Sequence, residues 1–405
     1  MPLVIYMFTI CSFAIGFTEF VTIGLVSAIA DDLHLNITSV GLSVTAYALG
    51  VVIGAPILTA LANKWNRKKL LITAMSTFII ANLIAGMSYN LTMLLFGRLL
   101  SGLAHGVFIA VAAGVATRLV PENKSGAAIS LVFGGATVAM AFGVPLGTWM
   151  GSVFHWQIIF LMLSIFGFIG TIGLLKLMPH EGNKSDKEPG GISKNLAVIL
   201  NPRLLGAALI PMVSYTGSFT LYTYISPVLR DMTHLEVTMA SLLLFTFGIG
   251  AAIGNYVGGV LTDKLGNDKA SLTMLIGIGV TLLLTWFGSS DVIMISILIT
   301  LLGLTTFGAI SPLQSRIIDL AKKHSPDSVD TASGMNIAAF NAGVVCGSLL
   351  GGVAINTIGL TSLSWVGSVI TVIAIAILLV QMNMDTMRSV SKSNGPVLSS
   401  GADGE

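Results

Sequence analysis

Apolar residues in this chain come in long unbroken runs, without the alternation of a half-buried strand or the spaced stripe of a soluble helix. Runs near 3–30, 40–62, 69–88, 91–119, 127–151 and 156–178 are followed by six more near 203–229, 239–262, 270–288, 291–315, 331–356 and 361–383. Each approximates the roughly 20 residues a helix needs to cross about 30 Å of hydrocarbon. Barrel strands would instead alternate in segments of about 10 residues. The pattern predicts an all-α membrane protein with twelve transmembrane helices.

Two polar stretches divide it. Residues 179–202, with the charged and Gly-rich string from Glu181 to Gly191, read as a linker between a six-helix bundle at 1–178 and a second at 203–384. The Ser- and Gly-rich tail at 385–405 is expected to be disordered.

Composition sharpens this picture. The chain is 54% hydrophobic and only 9% charged, against roughly 25% charged residues in soluble domains. A net charge of +2 matters less than where the cations lie. With both termini cytoplasmic, the inner loops collect 18 of the 20 Lys and Arg residues, leaving Arg230 outside and Arg98 within a span. No basic patch is interleaved with aromatics, so no nucleic-acid partner is expected. Cys11 and Cys346 both fall in apolar spans, where free Cys behaves as a small hydrophobe. Before Asp31 there is no basic n-region with a small-residue cleavage site, so the first span is expected to be kept.

The halves repeat at an offset close to 200. Gly50, Ile53, Gly54, Leu61 and Lys64 match Gly250, Ile253, Gly254, Leu261 and Lys264; Gly134, Gly143, Gly147 and Gly151 match Gly334, Gly343, Gly347 and Gly351. Six spans separate the copies, so they share an orientation, which makes them parallel pseudo-repeats about an axis along the membrane normal. A site near the midplane between them is the expected geometry. The four-spaced glycines, Gly143, Gly147, Gly343 and Gly347 among them, read as helix-packing surfaces, and Pro145 as a bend.

Glu19 is the one acidic residue between Pro2 and Ala30. A charge near the middle of a membrane helix costs roughly 2.5–3.5 kcal/mol on insertion scales, so it faces a cavity or a partner. At 1.5 Å per residue, Glu19 lies about 18 Å from Asp31, while Arg98 and His105 lie about 12 and 22 Å from Asn90, bracketing it in depth. Arg98, Gly102 and His105 share one helix face. A carboxyl group can release and rebind a proton where a guanidinium cannot. The three are therefore proton-coupling candidates, with Glu19 as carrier. Direct recognition of a cation or hydroxyl by Glu19, a structural Arg98 holding the backbone of the first span, and a satisfied interior His105 are the competing readings.

Tyr215, Phe219 and Tyr222 form an aromatic stripe that serves either as a ligand wall or as helix packing. Asn255 with Tyr256, Asn336 and Asn341 are further substrate-binding candidates, or amides that tie helices together. No phosphate loop of the Gly-x-x-x-x-Gly-Lys-Ser/Thr kind, no His or Cys cluster with metal spacing and no soluble catalytic domain occurs, so neither enzyme, metal nor cofactor is expected beyond protons as coupling ion.

Several strings resemble the major facilitator superfamily. Leu61 to Lys69, and Gly259 to Gly266, are similar to its Gly-x-Leu-x-Asp-Arg-x-Gly-Arg-Arg loop; Arg98 to Gly102 resembles its fourth-helix Arg motif; Gly143 to Gly147 resembles the fifth-helix Gly-Pro motif of antiporters. The stretch from Gly24 to Leu33 resembles the drug:proton antiporter branch, especially its arabinose and sugar efflux permeases. The resemblance implies Asn63, Arg67, Asp263 and Lys264 as gating-loop residues. Thr59 and Asn63 depart from the family's Gly and Asp, which leaves the first loop without its charge, whereas Asp263 keeps the acid.

Residues and resemblance together predict a monomeric, proton-coupled antiporter of the bacterial inner membrane that exports small organic solutes such as drugs by alternating access. A sugar efflux permease is the alternative within transport. Passive uniport is a third mode, and a non-transporting membrane sensor or scaffold is the reading from another class.

Overall fold

A computed structural model describes residues 1–61, 65–121, 125–179, 200–233, 237–288, 291–324 and 329–393. Among them, twelve helices are long and apolar enough to cross a membrane. In the first half these are α1 Leu3–Asp32, α2 Ile37–Leu58, α3 Arg67–Gly86, α4 Leu91–Arg118, α5 Ser130–Val153 and α6 Trp156–Leu177. The second half has α7 Pro202–Asp231, α8 Met239–Leu265, α9 Asn267–Gly288, α10 Val292–Lys323, α11 Thr331–Thr357 and α12 Ser362–Met384.

Polar residues at the ends of the apolar runs start the helices. The side chains of Asn36, Asn66, Asn90, Asn201 and Asp291 accept hydrogen bonds from main-chain N–H groups of the first turns of α2, α3, α4, α7 and α10. Helix α10 outruns its apolar stretch, continuing past residue 315 through Arg316 to Lys323. Hydropathy marks where hydrocarbon ends, whereas the helix ends where its backbone pairing does. Helix α12 likewise runs on to Ser393, so the segment expected as a disordered tail from residue 385 begins helical. Residues 394–405, and 180–199 of the linker, lie outside the described residues. Prolines Pro56 and Pro145 each sit in or beside a π-turn, Gly54–Leu58 in α2 and Ala139–Gly143 in α5, which relieves the bond their missing N–H leaves open.

Glycines set the closest helix contacts. A Cβ at Gly50 or Gly54 would lie 2.4 Å from Leu99 O or 2.5 Å from Leu103 O, so α2 touches the backbone of α4. Gly250 and Gly254 meet Thr300 O and Leu304 O of α10 in the same way, both at 2.1 Å. Gly102 meets Tyr47 O, as Gly303 meets Phe247 O. These pairs place α8 on α2 at an offset of 200 but α10 on α4 at 201. For α7 on α1 the offset is 199, because Gly151 packs on Leu25 where Gly351 packs on Tyr224. Gly143 and Gly147 abut the Phe17 side chain, whereas Gly343 and Gly347 meet main-chain oxygens of Met212 and Thr216.

The two halves meet along one part of their length. Phe20, Val40 and Trp156 belong to the same apolar cluster as Tyr224, Val228 and Leu363, joining the halves from the centre to the end away from the termini. At the end that bears the termini each half keeps its own cluster, one around Leu70, Val111 and Val132, the other around Leu204, Ile317 and Met335. At the closed end Ser226 donates to Ser27 Oγ at 3.3 Å, Arg230 pairs with Asp31, and Ser348 donates to Gly41 O at 3.0 Å. Towards the termini, built Cβ atoms at Gly114, Gly134 and Gly334 meet nothing within 4 Å. The bundle is closed at one end and splayed at the other.

Candidate functional site

The sequence puts Glu19 in the middle of α1, and the fold puts α1 against α2, α4 and α7. A cavity with about 230 Å³ of empty space lies at the centre. It is lined by Glu19, Phe20 and Ile23 of α1, Val44, Tyr47 and Ala48 of α2, Phe219 of α7, and Asn341 and Val344 of α11. Both halves therefore contribute walls, and the only carboxylate among those walls is Glu19.

Arg98 is buried, with 1% of its surface exposed. Its Nη1 donates to Thr18 O at 2.7 Å and to Thr18 Oγ1 at 3.3 Å; Nη2 donates to Glu19 O at 3.4 Å and Nε to Ser43 O at 3.3 Å. The guanidinium also lies 4.2 Å over the Tyr47 ring. It is a rivet between α4 and the backbones of α1 and α2, and it holds a fixed positive charge beside Glu19. Thr18 in turn donates to Asn82 Oδ1 at 2.8 Å, and Asn82 Nδ2 donates to Ser101 Oγ at 3.1 Å, tying α3 into the network.

His105 Nδ1 lies 4.0 Å from Glu19 Oε2 and 2.9 Å from Tyr47 Oη. The Tyr47 hydroxyl has a second acceptor in Ile15 O, at 3.4 Å. Four side chains thus converge on one spot: carboxylate, imidazole, phenol and guanidinium.

The repeat supplies an internal comparison. At the offsets set by the glycine contacts, Glu19 corresponds to Ser218, Tyr47 to Phe247, Arg98 to Ile299 and His105 to Thr306. Thr306 donates to Ser218 Oγ at 3.2 Å, so the paired contact persists while every ionisable group is gone. The same scaffold is charged in one half and neutral in the other.

Of the other candidates, Phe219 and Asn341 reach the cavity. Asn341 is 2% exposed, its Nδ2 donates to Ile337 O at 3.0 Å, and its Oδ1 has no partner. Tyr215 is turned into the second half, donating to Thr306 O at 3.3 Å and packing 4.3 Å from Phe340; Tyr222 stacks on Phe247 at 4.0 Å. Asn336 Nδ2 donates to Gln314 Oε1 at 2.6 Å, an α10–α11 tie away from the cavity lining. Asn255 is half-buried, one heptad beyond Gly248 on the face of α8 that meets Ala141, hence in the splayed seam. Tyr256 is 75% exposed on the outer surface of the bundle. Arg67 is half-buried at the start of α3, and Asp263 and Lys264 are exposed at the end of α8; Asn63 lies outside the described residues. Sequence reasoning missed Tyr47, Thr18 and Asn82. For Tyr47 a signal existed, since it shares a helix face with Gly50 and Gly54 at spacings of three and seven.

The family model described as Major Facilitator Superfamily matches residues 8–236 and 207–397. The chain belongs to the major facilitator superfamily. It is 39% identical over 367 residues, 90% of this chain and 92% of the relative, to the uncharacterized MFS-type transporter YtbD of Bacillus subtilis. Over 373 residues, 92% of this chain and 93% of the relative, it is 33% identical to the inner membrane transport protein YdhP of Escherichia coli. A probable sugar efflux transporter of Helicobacter pylori is 30% identical over 378 residues, 92% of this chain and 93% of that one. This major facilitator protein is therefore an integral membrane transporter and not an enzyme. The central cavity lies at the seam between the two halves, lined by α1 and α2 of the first and α7 and α11 of the second.

Proposed function

We propose that this transporter exports a small organic solute in exchange for protons by alternating access in a bacterial cytoplasmic membrane. The observation that carries the reading is the position of Glu19, a carboxylate on the wall of the cavity that both halves build. A proton and a solute that compete there destabilise each other's binding, and that coupling is reciprocal. Arg98 keeps the site's charge and geometry while Glu19 alternates. In the sequence, 18 of the 20 Lys and Arg residues fall in the loops and tail that the twelve-span topology puts on the side of the termini, which supports cytoplasmic termini and makes the splayed end the cytoplasmic one.

The solute class follows from what the walls offer. Asn341 Nδ2 is spent on its own helix, the Tyr47 hydroxyl has acceptors already, and the Arg98 donors point at main-chain oxygens. What remains are acceptors, Glu19 and Asn341 Oδ1, between apolar and aromatic walls. Such a site suits a solute with hydrogen-bond donors on a partly apolar body, and suits anions poorly. A drug-like amine meets this description. A sugar is the second reading, supported by the relatives named as probable sugar efflux transporters.

Proteoliposomes with an imposed pH gradient test both, using ethidium and radiolabelled L-arabinose as probes and an internal pH dye. The expected result is uphill movement of one probe with proton counterflow, reduced at least about tenfold by Glu19→Gln while downhill exchange persists. Equal uphill accumulation by the wild type and Glu19→Gln would overturn proton coupling at this residue.

A further inference from the structure

Tyr47 is a residue that packing alone does not explain. Its counterpart in the second half is Phe247, held the same way: Gly102 abuts Tyr47 O where Gly303 abuts Phe247 O. Both rings are buried, at 2% and 1% exposure. A phenylalanine therefore satisfies this helix crossing, and the extra oxygen at position 47 needs another reason.

That oxygen sits 2.9 Å from His105 Nδ1 and 3.4 Å from Ile15 O, while the same Nδ1 lies 4.0 Å from Glu19 Oε2. One hydroxyl proton serves two acceptors. When Tyr47 donates to Nδ1, neutral His105 carries its proton on Nε2, and the nitrogen nearest Glu19 is an acceptor. When Nδ1 carries a proton, it can donate to Tyr47 Oη or turn its charge or dipole towards the carboxylate, and the phenol must donate to Ile15 O instead. The titratable groups on the helices packed around this exchange include Glu19 of α1, Arg98 and His105 of α4, and Tyr222 of α7, the last three buried. In the second half, Ser218, Thr306 and Phe247 allow no such exchange.

We propose that Tyr47 is a positioning residue for proton exchange at Glu19, because its hydroxyl determines whether the nearer nitrogen of His105 meets the carboxylate as donor or acceptor. The proposal rests on Glu19 being the proton carrier. By occupying Nδ1 the phenol withholds a donor from the Glu19 carboxylate and favours its protonated form. Tyr47→Phe keeps the ring over Arg98 and the wall of the cavity but frees Nδ1 to donate towards Glu19.

The test is infrared difference spectroscopy of the full-length protein in lipid vesicles, following the protonated-carboxyl band that Glu19→Gln removes. Tyr47→Phe is expected to move the midpoint of that band to lower pH by about one unit, the effect of gaining one hydrogen bond to a charged group. His105→Gln and the double variant should then share one midpoint, since without the imidazole the phenol has nothing to direct. Thermal melting of Tyr47→Phe near the wild-type value, as the native Phe247 leads one to expect, separates this shift from misfolding. A Tyr47→Phe midpoint equal to that of the wild type, or a shift that persists in the His105→Gln background, overturns the role of Tyr47. A wild-type protein in which no Glu19 band titrates overturns instead the coupling reading on which the role depends.

Discussion

Arg98 is a charge used to tie helices together. Its N–H groups reach carbonyls on two helices, Thr18 O and Glu19 O on α1 and Ser43 O on α2, a span that only the flat guanidinium fork covers. Lysine keeps the charge but offers a single point. Arg98→Lys is expected to lower unfolding free energy in a detergent titration by about 1.5–3 kcal/mol, the worth of lost bonds to a charged group, and Arg98→Leu by more. Wild-type stability in both variants would mean that α1 is held by packing alone. Glu19 was visible in the sequence because a lone acid stands out in an apolar run. Tyr47 did not stand out, since a tyrosine in a span looks like wall. The comparison that exposes it was hidden as well. At a uniform shift of 200, Glu19 aligns with Phe219 and His105 with Thr305, whereas the contacts pair them with Ser218 and Thr306. The register drifts from 199 to 201 because the connections differ in length, and loops tolerate such changes.

At the scale of helices, the apolar runs in the sequence anticipated the twelve spans and the four-spaced glycines marked packing surfaces, because each reflects a local requirement of a helix in hydrocarbon. Contacts between halves were not legible, as they depend on which bodies lean together. The seam of α2, α7 and α11 shows this. A Cβ on Gly41 would fall 2.4 Å from Tyr224 Oη, and that hydroxyl donates to Ser348 O at 3.0 Å, with Thr45 donating to Ser348 Oγ at 3.0 Å. Tyr224 is also hemmed in by Gly351 and Gly352, at 2.8 and 3.0 Å from their built Cβ positions, so it has little room to retreat. Gly41→Ala should therefore wedge the closed end. Overpacking costs about 1–3 kcal/mol, so the conformation splayed towards the termini is expected to lose population by about tenfold. A cysteine at Gly134, in a background without Cys11 and Cys346, reports this as slower labelling by a maleimide. Adding Tyr224→Ala should restore the rate; unchanged labelling in Gly41→Ala would show that the seam does not limit closure.

For the whole molecule, the pseudo-twofold axis is recorded in contacts between residues that are each other's counterparts. Ser27 meets Ser226, their hydroxyls 3.3 Å apart, and Asp31 meets Arg230, both at the 199 offset of α1 and α7. In the proposed alternating access, residues on an axis between the two halves separate when that end opens, so this pair lies where contact would be broken. The exposed ion pair contributes little to holding the end shut, on the order of 0–1 kcal/mol; the buried seam beneath it supplies the rest. A covalent bond would be different. Ser27→Cys with Ser226→Cys is expected to form a disulfide on oxidation that traps the conformation splayed towards the termini. Transport of the active probe should stop and return on reduction, while cysteines at Gly134 and Gly334 stay reactive throughout. If the oxidised protein still moves solute at the wild-type rate, this end does not part during the cycle, and a rigid rocking of the halves about Glu19 cannot be how the site is exposed to the far side.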